Sequence, residues 1–168
     1  LAARAQAYAR LPLGPKARLL ARLSGSGDFY RESAFDDYAL ALQVGPEFVS
    51  GADRITLSAG PTWRWYGQQA FSRGWGGSAV LIHPLGKRTQ LRAEAAVSRL
   101  DNQRNDLQDS TIYAAALGLD RAFSASFGGG IQLRASRTAA RDAGWSDWTG
   151  AASAYLFREI GRTTLVLD

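Results

Sequence analysis

"RITLSAGPTWRWY", Arg54 to Tyr66, alternates without a break. In an extended chain Ile55, Leu57, Ala59, Pro61, Trp63 and Trp65 fall on one side, and Arg54, Thr56, Ser58, Gly60, Thr62, Arg64 and Tyr66 on the other. A helix needs apolar residues every three to four positions, whereas a half-buried strand needs them every two. The stretch therefore reads as a strand with one apolar and one polar face. Thr89–Leu100, "TQLRAEAAVSRL", repeats the pattern with Leu91, Ala93, Ala95 and Val97 against Gln90, Arg92, Glu94 and Ser98. The N-terminal "LAARAQAYARL" has the Ala and Arg of a good helix, but its strict alternation also makes it a strand.

Carried along the chain, this reading gives ten strands: 1–11, 17–28, 37–48, 53–66, 74–83, 88–100, 110–120, 126–138, 147–157 and 162–168. At roughly 10–13 residues most exceed the usual mode of about five to six. They match the about 9–11 residues that a tilted strand needs to cross a bilayer. The connections also alternate. "PLGPK", "VSGAD", "HPLGK", "DRAFS" and "REIGR" are tight turns. "GDFYRESAFDD", "GQQAFSRG", "DNQRNDLQDS" and "RTAARDAGWSD" are longer and polar. Short turns at one end and long loops at the other are the habit of outer-membrane barrels. A Greek-key sandwich would break so regular a series. The expected fold is all-β, an antiparallel up-and-down transmembrane β-barrel with about ten strands present, in one domain over 1–168.

Composition limits the alternatives. The 168 residues hold 46% hydrophobic and 21% charged residues, with no run near the ~20 apolar residues of a membrane helix. With no Cys there are no disulfides, no thiol nucleophile and no Cys-ligated zinc. The absence of an initiator Met and of a signal peptide reads as a processed or excised segment, a fragment of a larger barrel. The net charge of +5 and pI of 10.0 point to anionic partners, but the basic residues are scattered singly, without the stripe of a nucleic-acid face.

On this reading the Ala/Leu/Val face meets outer-membrane lipids and the Arg/Gln/Ser/Gly face lines a lumen. Arg54, Arg64, Arg92 and Arg134 are the basic lumen residues, joined by Arg4, Arg10, Arg18 and Arg22 and opposed by Glu47, Glu94 and Asp120. Either they form cross-strand pairs that fill a polar interior or they make a basic channel or docking groove. Trp63, Trp65, Phe71, Trp75 and Trp148 form an aromatic girdle at the headgroup level, with Tyr30, Phe35, Tyr38 and Trp145. Pro46 and Pro61 sit on the apolar face and are expected at bulges or strand ends. Segments 74–83, 110–120 and 147–157 are apolar on both sides, so their facing stays open.

Catalytic and metal constellations are not visible. His83 is the single histidine, in the turn "IHPLGK", with no second His or Cys for a metal. Asp101, Asp106 and Asp109 match no calcium loop. "FGGGIQL" precedes a strand rather than a helix, so it is not a phosphate cradle. The expectation is a non-enzymatic protein with no cofactor.

The run Arg64, Trp65, Tyr66, Gly67, then Phe71, Ser72, Arg73, then Gly76 and Gly77 resembles the C-terminal barrel of the surface lipoprotein assembly modifier family. "RTQLRAEAAVSRLDNQ" and "YAAALGLDRAFSASFGGGIQLR" share the rhythm of that family's later strands. The resemblance covers roughly 40–168. It implies a bacterial outer-membrane barrel that helps lipoproteins reach the cell surface, with a lipoprotein client and the barrel-assembly machinery as partners. Two departures stand out: there is no helical-repeat domain and no terminal aromatic after "TTLVLD". A passive porin-like channel and a surface adhesin are the competing functions, since fold alone does not choose among them.

Overall fold

The computed structural model of the chain describes residues 1–161 and 163–167. Ten strands follow one another: β1 (Ala2–Gly14), β2 (Ala17–Asp28), β3 (Asp37–Ser50), β4 (Asp53–Tyr66), β5 (Gln69–Pro84), β6 (Thr89–Asn102), β7 (Ser110–Ala122), β8 (Phe127–Ala140), β9 (Asp147–Ile160) and β10 (Thr163–Leu167). They form one antiparallel sheet in sequence order, each strand beside the next. Among the described residues β1 and β10 do not pair, and the sheet is open. The last expected segment, 162–168, has both its ends, Arg162 and Asp168, outside the described residues.

Cross-strand pairing fixes the facing that the sequence left open. Arg64 pairs with Ser72, Ser72 with Asn102, and Gly60 with Gly76 and Gly76 with Ser98, so the polar rows run unbroken from β4 to β6. Beyond them Ala116 of β7 pairs with Glu94 and Arg134, and Ala151 of β9 with Arg134. These alanines share the polar face. Tyr113, Leu117, Leu133 and Trp148 take the other face.

The polar face is the concave one. Tyr8 and Arg10 of β1 line the same cavity, about 380 Å³, as Arg92 and Glu94 of β6. In a flat sheet, five strand spacings, about 24 Å, would lie between them. Glycines at the bend allow the curl. A Cβ at Gly45 would lie 2.1 Å from the Leu57 carbonyl oxygen, and one at Gly60 2.0 Å from that of Leu42.

Three differences from the sequence expectation have local causes. "GQQAFSRG" is not a long loop: β4 and β5 join through Gly67 and Gln68 alone, at φ 57° and 62°. Two successive left-handed residues make a tight hairpin whose twist matches the strands. A Cβ on Gly67 would also sit 2.6 Å from the Ala34 carbonyl oxygen. Gly67→Ala should therefore destabilise the fold by about 1–2 kcal/mol, measurable as a lower urea midpoint in detergent.

Phe71 is the second difference. Arg64 pairs with Ser72 but Trp65 with Ala70, so Phe71 is an extra residue in β5. The bulge turns its ring onto the polar face, 5.1 Å from the Arg64 guanidinium and 6.2 Å from the Tyr66 ring. The prolines are the third. Val44–Ala59 and Glu47–Thr56 keep the register of Ala41–Thr62, so no residue is inserted at Pro46 or Pro61. The pairing is interrupted there without a slip, because a missing N–H removes a bond but not a position.

Candidate functional site: the concave polar face

Short turns gather at one end of the sheet, and three loops with the two-residue Gly67–Gln68 turn at the other. Each loop carries a single 3-10 turn: Ser33–Phe35, Asp106–Gln108 and Ala143–Trp145. Each is latched alike. Asp36, Asp109 and Ser146 accept from the backbone N–H of Tyr30, Asn102 and Ala140 at 2.8, 2.8 and 3.0 Å. Neighbouring loops are also tied together. Gly67 N–H donates to Asp36 O, Arg104 donates to Tyr66 O and Gln69 Oε1, and Arg141 N–H donates to Asp109 O. The result is a rim of short polar segments above the concave face. Asp101, Asp106 and Asp109 do not converge. Asp101 meets Arg99, Asp106 lies 3.8 Å from Arg141, and Asp109 holds Asn102.

The four arginines expected in the lumen all lie on the concave face. Three of them are ion-paired. Arg54 and Arg18 both approach Glu47 at 3.8 Å, and Glu47 is buried at 6% exposure. Burial of a carboxylate is tolerated because two guanidiniums flank it. Arg64 grips Asp37 through Nε and a terminal nitrogen together, the geometry in which a guanidinium fork matches a carboxylate. Arg92 reaches Glu94 at 3.2 Å.

Arg134 differs. Among the described residues no carboxylate lies within ion-pair distance of Arg134, nor of Arg4, Arg10 or Arg22. Arg22 instead lies 5.7 Å from the Tyr8 ring. The sequence offered pairing or a basic groove as alternatives, and the concave face has both in different places. Ion-paired arginines lie on β2, β4 and β6, with Arg18 and Arg54 sharing Glu47. Uncompensated charge sits on β1, β2 and β8.

The opposite, convex face is apolar and uncovered. Among the described residues no apolar side chain is buried. Leu57, Val97, Leu117, Ile131 and Leu133 are 42%, 47%, 55%, 56% and 57% exposed. From Ile55 to Trp65 is ten residue steps, about 33 Å of strand, or about 24 Å of height at a 45° tilt.

Aromatic rings edge this band. At the loop end Phe29, Tyr38 and Trp65 stack in succession at 6.3 and 6.1 Å. Trp63, Trp75 and Trp148 lie on the same face, and Phe71, as above, does not. At the turn end Phe48 is 44% exposed, and Phe123 and Phe127 lie 5.1 Å apart. The sequence reading missed this second edge, although Phe48 continues the alternation of Tyr38, Leu40, Leu42, Val44 and Pro46.

His83 sits at the turn end, its Nδ1 2.6 Å from Asp53 Oδ1. Among the described residues no group of three or more His, Asp or Glu could hold a metal ion. Gly128, Gly129 and Gly130 lie within β8, where Cβ atoms would meet the Phe157 ring, the Tyr155 carbonyl oxygen and Asp120 Oδ1 at 2.6, 2.5 and 2.5 Å. They make room for neighbouring backbone and side chains. Comparison with protein-family models, curated proteins and solved structures gives no match.

Proposed function

We propose that this chain is wall of a bacterial outer-membrane β-barrel whose concave face lines a polar, locally basic lumen. The observation that carries this reading is the uncovered convex face. Soluble monomers rarely expose apolar patches beyond a few hundred Å². Here the middle of a whole sheet face is apolar, ring-edged at both ends and about as tall as the ~25 Å band of membrane barrels. Lipid covers such a face at no cost in lost burial. The open edges accord with the same reading only if they become paired, because an unsatisfied ladder group in hydrocarbon costs several kcal/mol. β1 runs from the loop end to the turn end and β10 away from the turn end, so the two are oriented for antiparallel closure. Further strands between them would serve equally.

Within that fold, the function is to assist translocation or surface display of a lipoprotein, as the Arg64–Gly77 resemblance implies. The concave face and its latched rim form the surface that guides the client, and no catalytic residue is required. The charge without partners, Arg22 and Arg134, then matters more than the charge that is already paired. Arg22→Gln with Arg134→Gln should lower client display up to about fivefold, the range of exposed charge contacts. Arg54→Gln should do less, since Arg54 already has a carboxylate neighbour in Glu47. Surface labelling of a co-expressed lipoprotein, in cells carrying the complete gene, measures both. Unchanged display after removal of the whole barrel would dismiss the export role.

The same unpartnered arginines favour a second reading, a passive channel that prefers anions. Planar-bilayer conductance with reversal toward anions, together with intact display in the deletion strain, would select it.

A further inference from the structure

Arginines stand on the convex, apolar face as well, and their placement repeats. Arg73 of β5 lies directly opposite Trp63, Arg99 of β6 opposite Trp75, and Arg137 of β8 opposite both Tyr113 and Trp148. All three lie three or four residues from the loop end of their strands. All three are exposed, and the Arg137 guanidinium lies 5.4 Å from the centre of the Trp148 ring.

An arginine facing hydrocarbon is unfavourable unless its head reaches the interface, and this level lets it do so. What distinguishes them from ordinary snorkelling residues is a shortage of anions: across the strands Arg73 faces Asp101, the same carboxylate that meets Arg99. On the concave face Arg54, Arg64 and Arg92 each have a carboxylate of the chain. On the convex face only Arg99 has one, Asp101 at 3.4 Å, and the Arg99 side chain is still 73% exposed. Among the described residues Arg73 and Arg137 have no carboxylate partner within 4.0 Å.

The geometry points to an anionic-lipid site: Arg73, Arg99 and Arg137, each against an aromatic ring, bind the phosphate groups of negatively charged lipid headgroups at the loop-end interface. The guanidinium fork matches phosphate oxygens in two-point contact, and the neighbouring Trp or Tyr rings pack beside the upper part of the acyl chains. The site carries three positive charges against the single carboxylate of Asp101. It therefore prefers an anionic headgroup to a zwitterionic one. At the turn end of the same face Asp53 and His83 meet each other, and Arg121 and Arg158 stand two strands apart on β7 and β9.

This inference rests on the membrane reading above, and the experiment separates the two. The chain is folded into vesicles of equal parts phosphatidylcholine and phosphatidylglycerol, with bromine on the acyl chains of one lipid or the other. Quenching of tryptophan fluorescence by each then reports which lipid lies against the rings. Each arginine should enrich the anionic lipid about fivefold in its vicinity, so quenching by brominated phosphatidylglycerol should clearly exceed that by brominated phosphatidylcholine. The excess should shrink with added salt. The combined Arg73→Gln, Arg99→Gln and Arg137→Gln variant should quench equally with both. Equal quenching in the unsubstituted protein at low salt would overturn the lipid site while leaving the membrane reading intact, and it needs no variant to fold. So would an undiminished preference in a triple variant that retains its strand circular dichroism. Quenching by neither lipid would overturn the membrane reading itself, and the site with it.

Discussion

Leu57→Arg should destabilise the folded protein in lipid vesicles by about 2 kcal/mol, the lower end of the about 2–4 kcal/mol that a lipid-facing arginine costs at the bilayer midplane, because Leu57 lies between midplane and interface. Leu57 lies on the convex face of β4, four residues in from its turn end, paired with Ala79 and 42% exposed. A guanidinium placed there has neither water nor a carboxylate in reach. Ser58→Arg, one residue on, should cost less. Its side chain turns to the concave face, where Ser58 Oγ lies 2.9 Å from Ser78 Oγ. Loss of that bond is worth about 0.5–1.5 kcal/mol, and the new charge stays hydrated. Leu40→Arg should cost about as little as Ser58→Arg. Leu40 pairs with Trp63, close to the loop end, where the cost of a lipid-facing arginine falls to about 0–1 kcal/mol. Urea titrations in vesicles give all three values. Equal costs at Leu57 and Ser58 would mean that the two faces are not separated by lipid.

Gly60→Ala should be more damaging, by at least about 3 kcal/mol, the upper part of the range for forcing a methyl group into filled space. The added carbon would lie 2.0 Å from the carbonyl oxygen of Leu42 and 2.9 Å from its carbon, both of them backbone. No rotamer change relieves a clash with backbone, so β3 and β4 would have to separate there. Gly45→Ala meets the Leu57 carbonyl oxygen in the same way, at 2.1 Å. Gly77→Ala is the matched control. It lies in β5 on the convex face, where the nearest atom would be the Ser58 carbonyl oxygen at 3.6 Å, an ordinary contact. The measurement is the fraction migrating as folded protein before heating, followed across urea. If Gly60→Ala behaves like Gly77→Ala, the sheet is not curled as tightly at β3–β4 as these distances require.

The strands themselves were legible in the sequence because a face that changes every residue admits one backbone period. Ala17–Asp28 and Asp53–Tyr66 match the expected bounds residue for residue. Six other strands end two or three residues later than expected, while their starts hold or shift by one, since ladder pairing continues into turn residues that carry no hydrophobic signal. The start of β5 moved furthest, from 74 to Gln69. Polar Gln69, Ser72 and Arg73 look like loop, yet they pair because the Gly67–Gln68 turn sets them opposite Tyr66, Arg64 and Trp63.

Alternation by itself determined that this chain is a meander of long antiparallel strands with one apolar and one polar face. It also placed Arg54, Arg64, Arg92 and Arg134 together on the polar side. Those are properties of a single strand, set by the pleat that sends successive side chains to opposite faces. Only the tertiary structure decided which way the sheet curls, that Phe71 leaves the ring of tryptophans, and which arginines find a carboxylate. Each of these depends on register between strands, on whether Glu47 lies beside Arg18 and Arg54 or Phe71 falls out of step with β4. A one-residue difference there exchanges one face for the other. Alternation within a strand carries no information about its neighbour's offset.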